Sequence, residues 1–413
     1  MKTVIMAGGK GTRISSLNSD VPKPMISICG KPILQWQIEC LAKQGFKDII
    51  VSVGYKGEII KQYFTDGSGF GVKIRYLTES SPLGTAGALY YLKGIIDSDF
   101  LLINGDIVFD IDFNRFIAHH NTNKGKGALS TILTHPNDHP FDSGIIVVDS
   151  MGCVKKWMHK EDSRTWYKNR VNAGLHILSP SILDMIQEPK KLDLDRDVLT
   201  PLINDKKLFA YDSPEYVKDM GTPERYYRVE NDINNGVVEA KNLINKQKAV
   251  FFDRDGTLNK HVGFLKNIDD FELLPGASKM IKKTNEANYL AIVVTNQPVI
   301  ARGEVSWEEL EMIHNKMETL LGAQGAYLDD IFVCPHHPDS GYLGERKEYK
   351  IVCNCRKPKP GMILNAATKY NIDLSKSFMV GDSENDRIAA ETAGCHYYDV
   401  KDAQEMFMLN NGE

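Results

Sequence analysis

The chain has 413 residues, 42% hydrophobic and 25% charged, a globular composition on a length too great for one ordinary core, so two or three domains are expected. Its formal net charge of −4 argues against a large nucleic-acid footprint. No apolar run approaches the ~18 residues of a membrane span, so small-molecule substrates are expected rather than nucleic acid or membrane. Seven cysteines are unevenly spread: Cys29, Cys40, Cys153 and Cys395 stand alone, whereas Cys334, Cys353 and Cys355 gather near two histidines. An odd count and this clustering fit a reducing cytoplasm and one metal site better than a disulfide framework.

The opening Met1-Lys2-Thr3-Val4-Ile5-Met6-Ala7-Gly8-Gly9 reaches glycine too early for a secretory signal and reads as a strand over 3–7 entering a loop. β-rich apolar runs follow at 49–53 and 100–103, with Ile33, Leu34, Ile38 and Leu41 at helical spacing between them. A second series occupies 249–252, 291–294, 330–333 and 377–380. This alternation predicts an α/β chain of two Rossmann-like domains, 1–235 and 248–413, joined by a polar linker over 236–247. In such sheets ligands bind beyond the carboxyl ends of the strands. The glycine loop after Ala7, Asp106, Asp253, Thr295 and Asp382 all follow predicted strands, a placement that core packing does not require.

In the first half, Ala7-Gly8-Gly9-Lys10-Gly11-Thr12-Arg13 lets the backbone approach a phosphate closely. The spacing is neither that of a dinucleotide fingerprint nor that of a P-loop. Pro22-Lys23-Pro24 and Gly30-Lys31-Pro32 follow, then Pro82-Leu83-Gly84-Thr85-Ala86-Gly87, Asn104-Gly105-Asp106, Val171-Asn172-Ala173-Gly174 and Asp219-Met220-Gly221-Thr222-Pro223. Together, over about residues 1–230, these motifs resemble the sugar nucleotidyltransferases. The resemblance implies a mixed, mostly parallel sheet. It also implies attack of a sugar 1-phosphate on the α-phosphate of a nucleoside triphosphate, with release of pyrophosphate. Asp106 and Asp219 match the Mg²⁺ carboxylates, and hard oxygen ligands suit that ion. Arg13 and Lys23 match the cationic catalytic residues that bind and activate the phosphates. Gly8, Gly9, Gly11, Thr12, Gly84 and Thr85 match the nucleotide loops, and Asn172, Gly174 and Lys160 the sugar side. In one departure, His159 stands where the family commonly has a sugar-binding glutamate before that lysine.

In the second half, Asp253-Arg254-Asp255-Gly256-Thr257 follows a strand. Aspartates two apart can serve as nucleophile, Asp253, and general acid/base, Asp255, on one phosphate ester. An EF-hand is excluded because Gly256 comes too early and no glutamate closes a twelve-residue loop. Cys334-Pro335-His336 and Cys353-Asn354-Cys355 offer a closed set of three thiolates and an imidazole, which suits structural Zn²⁺. With Thr295-Asn296, Lys357 and Gly381-Asp382-Ser383-Glu384-Asn385-Asp386, this half resembles the haloacid dehalogenase-type phosphatases with a zinc loop. That group includes the histidinol-phosphate and heptose 1,7-bisphosphate phosphatases. The resemblance implies a phosphate grip by Thr295, Asn296, Arg356 and Lys357. It implies Mg²⁺ at Asp253, Asp255 and Asp382, with Asp386 either assisting through water or capping the next helix.

The two resemblances on one chain imply an enzyme of GDP-heptose synthesis. The phosphatase would remove the 7-phosphate of D-glycero-D-manno-heptose 1,7-bisphosphate, and the transferase would join the heptose 1-phosphate to GTP. Two alternatives stand beside it: a hexose 1-phosphate transferase fused to a phosphatase of other specificity, and a first half that only binds sugar nucleotides.

Overall fold

The computed structural model describes residues 1–9, 20–79 and 81–409; the predicted Gly11, Thr12 and Arg13 lie outside them. The chain divides into two compact units. The first comprises Met1–His135, Ile146–Trp157 and Asn172–Asn242, and the second Pro136–Ile145, Met158–Val171 and the chain from Leu243 onward.

The first unit is built on a nine-stranded sheet. Its parallel centre consists of β1 (Thr3–Ala7), β2 (Asp48–Val53), β3 (Lys73–Thr78) and β4 (Phe100–Asn104), with helix α1 (Ile33–Lys43) between β1 and β2. β1 lies between β2 and β4 with Ile5 opposite both Val51 and Ile103, and β3 pairs parallel with β2. The inner strands β1, β2 and β4 are mostly apolar because both faces are covered: Ile5, Val51 and Ile103 enter one core cluster, and Val4, Ile50 and Leu102 the other. A two-stranded ribbon of β5 (Ile107–Asp110) and β7 (Tyr216–Asp219) stands apart. β6 (Val171–Leu178) runs antiparallel beside β4, which makes the sheet mixed.

The second unit has a five-stranded parallel sheet. Its order is β10 (Asp330–Cys334), β9 (Leu290–Asn296), β8 (Ala249–Phe252), β11 (Phe378–Gly381) and β12 (His396–Asp399). The two-residue period is explicit in β8: Val250 and Phe252 pack in one core cluster, Ala249 and Phe251 in the other. Helices α3 (Trp307–Gly322) and α4 (Glu384–Ala393) belong to this unit. α3 also holds the segment Met158–Val171. Arg170, buried, donates to Glu318 at 3.2 Å and to the carbonyls of Leu328 and Asp329, while Glu318 accepts the Asn169 N–H at 3.1 Å.

A polar stretch begins at Val229, ahead of the predicted linker over 236–247. Helix α2 (Pro223–Asn234) runs through it, with Val229 and Asp232 buried; the Asn- and Lys-rich residues are the solvated face of an amphipathic helix. Beyond it, Val237 and Val238 are buried, and the Asn371 amide donates to the carbonyls of Leu243, Ile244 and Asn245 at 3.0–3.2 Å. Among the described residues no helix is long and apolar enough to cross a membrane.

Candidate functional site

In the first unit, Asp106 sits in the turn between β4 and β5. The buried Gln37 of α1 fixes that turn by donating its amide to the carbonyls of Asn104 and Ile107, both at 2.8 Å. Lys23 donates to Asp106 Oδ2 at 2.6 Å. The ribbon register sets Asp219 opposite Ile107, and the Met220 N–H donates to the Asp106 carbonyl at 3.0 Å, so the two predicted metal carboxylates are brought side by side. Arg225 donates to both oxygens of Asp219 at 2.9 and 2.8 Å. Each acid thus has a cation, and both remain partly exposed, as a site for a hard cation and phosphates requires. Gly8 packs against the Glu79 carboxylate, which also accepts from Ser52 at 3.0 Å and from the Leu83 N–H at 3.3 Å. Gly84 takes φ +74° against the Leu192 carbonyl, where a Cβ would collide. Thr85 is exposed and accepts the Leu194 N–H at 2.7 Å. Gly174 packs on the Asn104 amide, and the Asn172 Oδ1 accepts the Gly174 N–H at 3.2 Å. Lys160 is exposed and lies, with His159, in the segment grouped with the second unit.

In the second unit, Asp253 follows β8 and is buried. Lys357 reaches both Asp253 and Asp386 at 2.6 Å. Burial opposes charge on Lys357, but these two carboxylates hold it above its ordinary range. Burial likewise pushes the Asp253 carboxyl above its ordinary range, against the pull of Lys357. Lys357 is aimed by a reciprocal pair: Asn296 donates its amide to the Lys357 carbonyl, and the Lys357 N–H donates to Asn296 Oδ1, both at 3.0 Å. Asp386 does two jobs, since its carboxylate also caps α4 by accepting the Ser383 hydroxyl at 2.6 Å and N–H at 3.2 Å.

Ligand oxygens of Asp253, Asp382 and Asp386 lie within 4.8 Å of one another and could hold a metal ion. Gly256, at φ +89°, abuts the Asp382 carboxylate so closely that any Cβ would overlap it. The predicted Asp255 side chain has other company. Arg254 donates to both of its oxygens at 2.9 and 2.8 Å, Asn259 at 3.0 Å and Gln297 at 2.8 Å. Burial works against charge on Asp255, yet these donors hold its carboxyl below the usual range. Gln297 also bonds the buried Thr295 hydroxyl at 2.9 Å, tying the Asp255 carboxylate to the predicted phosphate grip.

Arg254 is fully buried, and its guanidinium donates to His314 Nε2 of α3 at 3.2 Å. Burial, then the Arg254 charge, push His314 down to about 3 from 6.5. Below pH 6.5 the unfolded chain takes a proton that the folded chain refuses, so this group's stability contribution falls as pH drops, by about 1.4 kcal/mol per pH unit. We expect His314→Gln to flatten the loss of stability between about pH 6 and pH 4 by close to one proton in urea unfolding. An unchanged slope would remove His314 as the source.

Cys334, His336, Cys353 and Cys355 form one cluster. The Sγ–Sγ separations are 3.2–3.6 Å, and His336 Nδ1 lies 3.7 Å from Cys334 and 3.3 Å from Cys355. A tetrahedron with arms of about 2.3 Å has edges of about 3.8 Å, so the set is close to the size that Zn²⁺ demands. Arg356 donates to the His336 carbonyl at 3.2 Å, one residue before Lys357.

Residues 2–236 match the family model described as nucleotidyl transferase. The chain belongs to that family. Residues 248–412 of this nucleotidyl transferase family member match the model described as polynucleotide kinase 3 phosphatase, so a phosphatase domain follows. The mannose-1-phosphate guanyltransferase 2 of Candida glabrata is 34% identical over 235 residues, covering 55% of this chain and 63% of the relative. The chain thus spans less than two thirds of the curated relatives it matches. Among solved structures, HddC from Yersinia pseudotuberculosis complexed with GMP-PN is 30% identical, with TM-score 0.48, over 56% of this chain and 99% of that one. The D,D-heptose 1,7-bisphosphate phosphatase from B. bronchiseptica, complexed with magnesium and phosphate, is 34% identical, with TM-score 0.33, over 40% and 88%.

The sequence pattern did not single out Gln37, Arg225, Asn259 or Gln297 as supports of these sites. Arg254 carried a signal in its position between the paired aspartates; Gln37 and Gln297 are contributed by distant elements, while Arg225 and Asn259 lie within six residues of the aspartates they bond.

Proposed function

We propose that the chain is a cytoplasmic bifunctional enzyme that makes a GDP-sugar in two steps. The phosphatase domain removes the 7-phosphate of D-glycero-D-manno-heptose 1,7-bisphosphate, and the nucleotidyltransferase domain joins the resulting heptose 1-phosphate to GTP. The observation that carries the reading is the coexistence on one chain of the Asp106–Asp219 pair and the Asp253–Lys357 centre behind a Cys/His cluster. A phosphatase fused to a transferase can prepare the transferase's own acceptor. The guanyl transfer named in the curated relatives supports guanine, and the cluster ahead of Cys355-Arg356-Lys357-Pro358 supports the bisphosphatase.

In the phosphatase step, an Asp253 oxygen attacks phosphorus, the ester bond to the sugar breaks and an aspartyl-phosphate forms. Thr295 and Lys357 hold the phosphoryl oxygens; Asp255 enters the step protonated and gives that proton to the leaving sugar oxygen, then takes one from the water that attacks phosphorus, which frees inorganic phosphate and regenerates the Asp253 carboxylate. In the transfer step, a sugar-phosphate oxygen attacks the α-phosphorus of GTP, and the bond to the bridging oxygen of pyrophosphate breaks. Lys23 neutralises charge there, with Asp106 and Asp219 as the metal carboxylates. Mg²⁺ bound at the carboxylates would supply charge neutralisation and orientation in both sites. Asp253 and Asp382 would hold it in the phosphatase.

Zn²⁺ at the four Cys/His ligands would fix the loop that delivers Arg356 and Lys357. Metal analysis is expected to return one zinc per chain and, for Cys353→Ser, less than about a tenth of that. The variant's unfolding midpoint should fall by about 10 °C, the equivalent of roughly 3–5 kcal/mol in a domain of this size. A zinc-free, equally stable and active protein would remove this role.

The second reading, a mannose 1-phosphate acceptor, is favoured by the names of the curated relatives. Parallel assays with heptose 1-phosphate and mannose 1-phosphate decide: we expect kcat/KM to favour the heptose at least tenfold, and the reverse preference would install mannose.

A further inference from the structure

The first unit contains a carboxylate that neither step above uses. Asp195 lies in the π-helical turn Leu194–Leu199, a rare conformation that is frequent at functional sites. That turn is strapped to the nucleotide loop. The Leu194 N–H donates to Thr85 Oγ1 at 2.7 Å, and the Ala86 N–H donates to the Leu192 carbonyl at 3.0 Å. Asp195 and the Gly84 loop are therefore positioned together.

On the sheet side, Asn172 donates its Nδ2 to Asp195 Oδ1 at 3.3 Å. Its own Oδ1 meets the Gly174 N–H at 3.2 Å and His176 Nε2 at 3.1 Å. Those contacts fix which way the amide faces, so Nδ2 points at the carboxylate. β6 pairs with β4 so that Leu175 lies opposite Ile103; continuing that register sets Asn172 level with Asp106. Asp195 is thus held, through Asn172, beside the strand that leads to Asp106.

The residue keeps accessible surface, while burial and then Asp193 push its carboxyl up to about 7. Among the described side chains its one donor is Asn172, which leaves acceptor capacity on two oxygens. Sugar hydroxyls are the donors that match a recessed carboxylate beside a neutral amide, and hydrogen bonds to a charged group are stronger than neutral ones.

We propose that Asp195 grips a pair of hydroxyls on the acceptor sugar and so determines which sugar 1-phosphate the transferase takes. The assignment rests on the nucleotidyl-transfer reading and deepens it.

The test is Asp195→Asn in the full chain, which preserves size but removes the charge. KM for the sugar 1-phosphate is expected to rise about 10- to 100-fold, with KM for GTP changed less than about threefold. Deoxy analogues of the sugar supply a readout that a merely structural role would not move. Removing a gripped hydroxyl should weaken binding to the unmutated protein but add no further loss in the variant, a coupling specific to one or two positions. Asp195→Glu, at matched melting temperature, carries the same comparison should the first variant fold poorly, because a displaced carboxylate should alter the pattern of deoxy analogues. Unchanged sugar KM, equal losses for every deoxy analogue, or a larger effect on GTP than on the sugar (the ribose diol being the ligand) would each overturn the assignment. Failure of the unmutated protein to transfer nucleotide to any sugar 1-phosphate would instead defeat the underlying function, and the assignment with it.

Discussion

Asp253→Asn is expected to lower phosphate release from a sugar bisphosphate by at least about 10⁴-fold, while nucleotidyl transfer to a supplied sugar 1-phosphate continues. The carboxylate is the attacking group, and no neighbour can replace it. Asp386 is held by Lys357, with its second oxygen committed to the Ser383 cap, and Asp255 is enclosed by Arg254, Asn259 and Gln297. The amide of the variant is neutral and a poor nucleophile, and it removes one of the two carboxylates that hold the Lys357 charge. The measurement is steady-state phosphate release alongside GDP-sugar formation on the same preparation. Residual hydrolysis above a hundredth of the unmutated rate would show that another group attacks phosphorus.

The complementary result is expected for Asp106→Asn: pyrophosphate release falls about 10³-fold and the phosphatase is unaffected. The substitution removes the charge opposite Lys23 and half of the carboxylate pair that the ribbon of β5 and β7 brings together. The fold should survive, because the turn at Asp106 is held by Gln37 and by backbone bonds rather than by this side chain. A first half that only bound sugar nucleotides would have no pyrophosphate release to lose, so the unmutated rate separates transferase from binding module.

Much of this was legible in the sequence because parallel sheets impose a simple rule: strands buried on both faces are apolar throughout, and chemistry gathers where they end. The runs around Leu102, Phe251 and Met379 marked strands, and Asp106, Asp253 and Asp382 followed them directly. The Cys/His cluster was legible for another reason, since soft ligands at that spacing have few other uses. What pattern could not supply is side-chain direction between distant elements. Gln297 stands 42 residues from Asp255 and His314 60 from Arg254, so spacing in the sequence does not announce these members of the clamp around Asp255. Asp195 was hidden by the same limit: three aspartates in Asp193-Leu194-Asp195-Arg196-Asp197 look alike in sequence, and only the turn shows which one faces Asn172.

The account's central claim, that one chain prepares an acceptor sugar and then activates it, is tested most directly by a single time course. Purified protein, Mg²⁺ and GTP would be supplied with each anomer of D-glycero-D-manno-heptose 1,7-bisphosphate while phosphate and GDP-sugar are followed together. The account predicts that phosphate appears first and GDP-heptose follows, and that Asp253→Asn abolishes both until heptose 1-phosphate is added, which restores the second. GDP-sugar formation without prior phosphate release, or no hydrolysis of either anomer, would contradict it.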